Sequence, residues 1–381
     1  MKKNVGIVTS ARELNYGAIL QAFALQESVR KKGYNPTLLW WSNQDASHHD
    51  IRWNKLLGML KTYCLHPCII LNTILTYKQA FKRKYSKESQ DLFQSFEEQN
   101  LSISFFNYEE MKIYAYSNDC KAVIAGSDQI WNSYAVYIDP FYYLRFAPYN
   151  KRIAYAPSLG KDNIPSYNVK RMKYFIGDFP FLSVRENSGK NLIKQLIKKD
   201  VPVVLDPSFL LEREEWVKKE NHMEVPSSFI LLYFLDEPDV NTIKAIKKYV
   251  DNKNLPVVSI PFSFDSLKSI GNIRFVDAGP SEFLYLVNHA ETVLTDSFHG
   301  TAFSINLRTN FHVFSRQYGN NQPQASRITD LLSIFNLMSR YITSGDIDSI
   351  EISESQWNSI NEVLREKRLS SNDYLSKALE A

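Results

Sequence analysis

Residues 4–41 constrain the fold more than any other stretch of this chain. "NVGIVTS" (4–10) is an apolar run of strand length. "YGAILQAFALQESVRKKGY" (16–34) follows, with Ile19, Leu20, Phe23, Ala24, Leu25 and Val29 at helical spacing and Gly33 at its end. "PTLLWW" (36–41) is a second apolar run. A strand, a helix and a strand in close succession, with Gly17 at the first turn, open a parallel sheet covered by helices.

The same alternation continues. "AVIAGSDQIWN" (122–132), "RIAYAPSLG" (152–160), "FLSVRE" (181–186) and "VPVVLDPSFLL" (201–211) read as further strands running into loops. A second set then begins with "FILLYFL" (229–235) and a helix near 239–252. "LPVVSIP" (255–261), "IRFVDAG" (273–279), a helix near 281–290, "TVLTDS" (292–297), a helix from 300 and "NFHVFS" (310–315) complete it. The expected class is α/β, with two α/β units facing each other. The expected units are 1–205, 206–350 and a polar helical tail over 351–381, with a junction near Asp206-Pro207.

Residues 51–87 break the pattern. They carry eight Lys/Arg and no Asp or Glu, interleaved with Leu, Ile, Trp and Tyr. They read as a helical insertion in the first domain, spanning about 45–100 of the sequence. Its basic face is either solvated or a contact for anionic membrane. The remaining bulk properties exclude more than they assign. With 381 residues, 44% hydrophobic and 23% charged, the chain is folded rather than disordered. A net charge of +4 is too weak for a nucleic-acid protein. Aromatics at 13% suit sugar-facing surfaces and large cores equally. Cys64, Cys68 and Cys120 lack a metal-site spacing and read as free thiols of a reducing compartment. "MKKNVGIVTSA" is a first strand rather than a leader, because polar "RELNYG" follows at once. "LHPCIILNTILTY" (65–77) is too short and polar to span a bilayer.

Ligands of open parallel sheets bind outside the carboxyl ends of the strands. Polar groups and turn residues fall at such ends: Asn15, Tyr16 and Gly17 after the first strand, and Gly126, Ser127, Asp128 and Trp131 after 122–125. Arg185 and Glu186 lie at 181–186, and Asp296, Ser297, His299 and Gly300 after 292–294. Arg316 and Arg327 follow. Asp128 reads equally as a helix cap, and Arg185 with Glu186 as an ion pair. His312, within a strand, reads as packing. His299 lies at a strand-to-helix turn, where outward N–H groups favour anions. Arginine forks suit phosphate and carboxylate, and a histidine suits proton donation. The implied ligand is small and multiply anionic. The chain has no P-loop and no GxGxxG, and no metal site is expected from its ligand spacings.

"NYGAILQAFALQ", "AVIAGSDQIWN", "RIAYAPSLG", "LSVRENSG", "VLDPSFLL" and "TDSFHGTAFSINL", in order, resemble the polysaccharide pyruvyl transferases. The resemblance implies two Rossmann-like domains facing across a cleft, arranged as in type B glycosyltransferases, with the active site between them. It implies transfer of a pyruvyl group from phosphoenolpyruvate, the co-substrate, onto two hydroxyls of one sugar to give a cyclic ketal, with no cofactor. A cytoplasmic enzyme of bacterial envelope or capsule synthesis is implied, acting on a free or lipid-linked sugar and peripheral to the membrane if 51–87 binds it. On this resemblance His299 is the catalytic acid. Arg185 is a donor contact, with Arg327 and, competing with it, Arg316. The amides around Ser297 and Gly300 hold the anion. Asp128 or Glu186 handles the acceptor, beside Asn15, Gly17, Gln21, Ser127 and Trp131, whose ring would stack on sugar. A nucleotide-sugar glycosyltransferase shares this architecture and is the alternative reading.

Overall fold

The structure, a computed structural model, describes residues 2–41, 51–67, 69–70, 84–316, 325–343 and 345–381. Cys68, Lys78, Lys82 and Arg83, part of the basic stretch, lie outside the described residues. Two parallel six-stranded sheets carry the fold. The first contains β1 (Asn4–Val8), β2 (Asn35–Trp41), β3 (Ile103–Phe106), β4 (Cys120–Ala125), β5 (Arg152–Ala154) and β6 (Phe181–Leu182), in the order β3-β2-β1-β4-β5-β6. The second contains β7 (Ile230–Tyr233), β8 (Val257–Ile260), β9 (Ile273–Phe275), β10 (Thr292–Thr295), β11 (Phe311–Phe314) and β12 (Tyr341–Ile342). Its order is β12-β11-β10-β7-β8-β9. Read from the central pair outward, both lobes have the same Rossmann topology.

The central strands β1, β4, β7 and β10 are near-continuous apolar runs because helices cover both their faces. Helix Tyr16–Lys31 is buried almost all round. Ala22, Leu25 and Val29 belong to the first lobe's core, while Tyr16, Ile19, Leu20 and Phe23 enter the core shared with the second lobe. Tyr16 stacks on Phe283, with ring centroids 4.8 Å apart, and donates to the Ala278 carbonyl at 3.0 Å. This aromatic contact fixes the lobes against each other next to the site.

One expected strand is absent. "VPVVLDPSFLL" makes a single bridge, Val184 with Val203, and then a short 3-10 turn at Pro207–Phe209. It crosses between the lobes. The tail is one long helix, Glu354–Glu380. Its Trp357, Ile360 and Leu364 pack in the shared core, and Leu375, Ala378 and Leu379 in the first lobe's core. Among the described residues no helix is long and apolar enough to cross a membrane.

Candidate active site

Strand order reverses between β1 and β4 and between β7 and β10, so four loops at the carboxyl edges meet at the lobe junction. Asp206, on the crossing segment, sits where they converge, with its side chain fully buried. Its Oδ2 lies 2.8 Å from Arg185 Nη1, 2.8 Å from Ser127 Oγ and 3.7 Å from His299 Nε2. Arg185 and Ser127 belong to the first lobe. His299 belongs to the second, in the first turn of helix Phe298–Leu307. One carboxylate therefore gathers an arginine and a histidine from opposite lobes. Burial alone would raise the Asp206 carboxyl; His299 and Arg185 outweigh it and hold it well below the usual carboxylate range. Burial opposes the charge on Arg185, and Asp206 and Glu186 more than offset that.

Arg185 Nη2, a donor, and the ring nitrogen His299 Nε2 are both buried with no hydrogen-bond partner. Each such group costs about 1–3 kcal/mol while unmet. Phe298 closes one side, its ring centroid 4.1 Å from the Arg185 guanidinium carbon. Arg327, on helix Ala325–Ile334, lines the same crevice as Arg185, Asp206, Phe298 and Asp330, a space of about 10 Å³.

Arg316 is placed differently. Its Nε lies 2.7 Å from Asp236 Oδ2 and 3.5 Å from Asp296 Oδ2. Asp296 also accepts from the amides of Leu235 and Asp236 at 2.7 and 2.9 Å. Burial pushes the Asp296 carboxyl up to about 6, with Arg316 pulling it down and Asp236 pushing it further up. The crevice here, about 140 Å³, is lined by Asp236, Glu237, Asp239, Asp296 and Arg316.

The remaining expected residues divide. Gly17 is essential to the site's geometry: a Cβ there would lie 2.0 Å from His299 Nδ1. It lets helix Tyr16–Lys31 abut the imidazole, rather than an acceptor. Gly300 faces the second lobe's core, where a Cβ would meet Thr295 Oγ1 at 2.5 Å and the Tyr233 ring at 2.9 Å. Ser297 caps its helix by accepting from the Gly300 amide at 3.3 Å, and its own amide donates to Thr295 Oγ1 at 3.0 Å. Two of the amides expected to hold an anion are thereby used internally. Asn15 caps helix Tyr16–Lys31. Gln21 is fully buried and bonds Thr9, Ser10 and Ala18. Trp131 is also fully buried, stacked on Tyr143 and donating to the Tyr142 carbonyl, so it offers no ring face to a sugar. Ser127 faces Asp206 and not the solvent. Glu186 forms the expected ion pair, its Oε2 3.4 Å from Arg185 Nε, and its Oε1 accepts from Ser158 Oγ at 2.8 Å and the Leu159 amide at 3.1 Å, which leaves Asp128 the better placed of the two carboxylates.

Asp128 makes no capping bond and sits at φ 65°, ψ −173°, a region almost reserved for glycine. Such strain is held by its surroundings and concentrates at working sites. Beside it is a residue sequence reasoning missed. Glu13 is exposed as a residue, yet desolvation by nearby protein and then the charge of Asp128 push its carboxyl up to about 6. Lys161 was also missed. Burial, then Arg327 and Arg316, lower its ammonium pKa, so it faces the second lobe's arginines across the cleft. Its only sequence signal was its place directly after "RIAYAPSLG".

Comparison with known proteins agrees with this architecture. A putative UDP-N-acetylglucosamine 2-epimerase from Listeria monocytogenes superposes with a TM-score of 0.52 at 10% identity, covering 99% of this chain and 91% of that one. The UDP-GlcNAc 2-epimerase of Methanocaldococcus jannaschii gives 0.50 at 13%, covering 95% and 92%. At such identities the likeness is one of fold, the GT-B arrangement. Among curated proteins none matches the chain in sequence. A family model described as polysaccharide pyruvyl transferase matches residues 15–318, a span that contains Gly17, Asp128, Arg185, Asp206 and His299 and thus most of the buried cluster. The chain belongs to the polysaccharide pyruvyl transferase family.

Proposed function

We propose that the protein transfers the pyruvyl group of phosphoenolpyruvate to two hydroxyls of a sugar in a bacterial capsule or envelope polysaccharide, forming a cyclic ketal. The observation that carries this reading is the pair of unmet buried nitrogens, Arg185 Nη2 and His299 Nε2, brought together from opposite lobes. They ask for an anionic acceptor, and Arg327 and Lys161 add positive charge around the same cleft.

In the reaction, Arg185 and Arg327 bind the donor's phosphate and carboxylate. His299 protonates the enol methylene, which becomes the ketal methyl and leaves C2 electrophilic. A sugar hydroxyl forms a bond to C2 as Asp128 or Glu13 takes its proton. The C2–O bond to phosphate breaks, and the second hydroxyl closes the ring, its proton leaving with phosphate. Asp206 touches neither substrate; it positions Arg185 and His299.

Incubation with phosphoenolpyruvate and a panel of free and lipid-linked sugars, followed by mass spectrometry, tests the reading. The expected product is a pyruvylated acceptor with release of phosphate. The alternative, a nucleotide-sugar glycosyltransferase, rests on the shared GT-B fold. Stabilisation against heat by a nucleoside diphosphate and not by phosphoenolpyruvate would favour it.

A further inference from the structure

Helix Ile51–Leu65 carries its apolar stripe on the side facing solvent. Trp53, Leu56, Leu57 and Leu60 follow i, i+3, i+4, i+7 spacing and share one face. They are between 45% and 63% exposed. The opposite side is the packed one. Gly58 lies against the Tyr137 ring, where a Cβ would come within 2.6 Å of Cδ2, and the His66 ring sits 5.2 Å from that of Tyr167. Close approach at Gly58 fixes the rotation of the helix, so the stripe cannot turn inward without breaking that contact. Lys55 and Lys61 on the same helix are exposed.

We propose that this stripe is a docking surface for an anionic lipid bilayer, with the leucines and Trp53 at the acyl boundary and Lys55 and Lys61 toward the headgroups. Charge selects this occupant. Residues 51–65 hold Arg52, Lys55 and Lys61 and no acid, so a two-fold symmetric contact of this helix with a second copy would set like charge against like. An anionic surface meets both the apolar and the basic character. Tyr137 follows β4 and Tyr167 follows β5, so the helix lies at the carboxyl edge of the first sheet, the edge that bears Asp128. A docked bilayer would face that side of the cleft. The surface is independent of the chemistry proposed above, and its test needs no substrate.

The full chain is sedimented with phosphatidylcholine vesicles, with and without phosphatidylglycerol, at low and high salt. The expected result is binding that requires the anionic lipid and weakens with salt. Quenching by brominated acyl chains should occur and should be lost in Trp53→Phe, because Trp53 is the exposed tryptophan among the described residues. Lys55→Gln with Lys61→Gln should weaken binding by about tenfold or more. Leu57→Gln with Leu60→Gln should abolish it at an unchanged melting temperature. No sedimentation, equal sedimentation with neutral vesicles, or quenching that survives Trp53→Phe would overturn the proposal. So would self-association of the wild type that the leucine variants abolish, since a second copy would then occupy the stripe.

Discussion

Arg185 and Arg316 are both nearly buried arginines at strand carboxyl edges, and each is held by two carboxylates, yet they differ in what those contacts leave over. Around Arg185, Asp206 at 2.8 Å and Glu186 at 3.4 Å hold the guanidinium, Asp206 also faces His299, and Arg185 Nη2 stays unmet beside a second arginine, Arg327. Around Arg316 four carboxylates line the crevice, and two of them hold the guanidinium directly. The first crevice sets two arginines against three acids and keeps a buried N–H open to an anion; the second sets one arginine against four acids. A buried arginine is therefore a donor contact only where its counter-charges leave capacity over. Arg327 lines the crevice that holds the open N–H of Arg185 and Arg316 does not, which favours Arg327 as the second donor contact.

The largest expected effect tests the first setting. His299→Ala should lower turnover by roughly 10²–10⁴-fold, the usual worth of general acid catalysis, with the fold intact. Turnover within a few-fold of wild type at saturating donor would remove His299 from the chemistry. Gly17→Ala touches no substrate in this scheme but displaces the imidazole. Misplacement on the scale of an ångström can cost on the order of 10²-fold, so kcat should fall while donor affinity holds. Loss of acceptor binding alone would instead restore Gly17 to the acceptor side.

Donor affinity sharpens the contrast between the arginines. Arg185→Ala and Arg327→Ala should each lose a charge-assisted bond worth about 1.5–3 kcal/mol, at least a tenfold weaker dissociation constant by calorimetry, and Arg185→Ala should also lower the melting temperature because Asp206 and Glu186 lose their cation. Arg316→Ala should leave affinity unchanged and lower the melting temperature, since Asp236 and Asp296 would be left nearly buried without their cation. The reverse pattern would overturn the comparison. The smallest effect concerns pH. Glu13 and Asp296, one in each lobe, are both pushed up to about 6. A base must be deprotonated to act, so turnover should rise with pH through about 6 if Glu13 serves the acceptor. Glu13→Gln should flatten that limb and Asp296→Asn should keep it. If Asp296→Asn removes the limb, Glu13 is not the base.

The central strands were legible because burial on both faces leaves an unbroken apolar run. β3 and β12 were not, being short edge strands with half-buried side chains. "VPVVLDPSFLL" was misread for a physical reason. Its apolar residues serve three cores in turn: Val201 one, Val204 and Leu210 another, Leu205, Phe209 and Leu211 a third. Periodicity cannot separate such a thread from a strand. The signal that was available was Asp206, a lone acid inside that run. His299, Arg185 and Arg327 were found as residue types at strand or helix ends. Glu13 and Lys161 were not, because their character comes from neighbours distant in sequence. For the same reason Trp131 and Gln21 were assigned to the acceptor: sequence places a residue after a strand without saying which way it turns.

The helix Glu354–Glu380 bears on how the protein is made. Lys32 Nζ donates to the Asn372 carbonyl and Ser376 Oγ, Tyr374 Oη donates to the Ala154 carbonyl, and the Leu205 amide donates to Ser371 Oγ. Leu375 and Leu379 are fully buried among the residues of β1 and β4. The lobe translated first is thus closed by side chains translated after the whole of the second. Domains ordinarily fold one after another as they leave the ribosome. Here the first must wait with part of its core open, and ribosomal pausing ahead of residue 354 would lengthen that exposure.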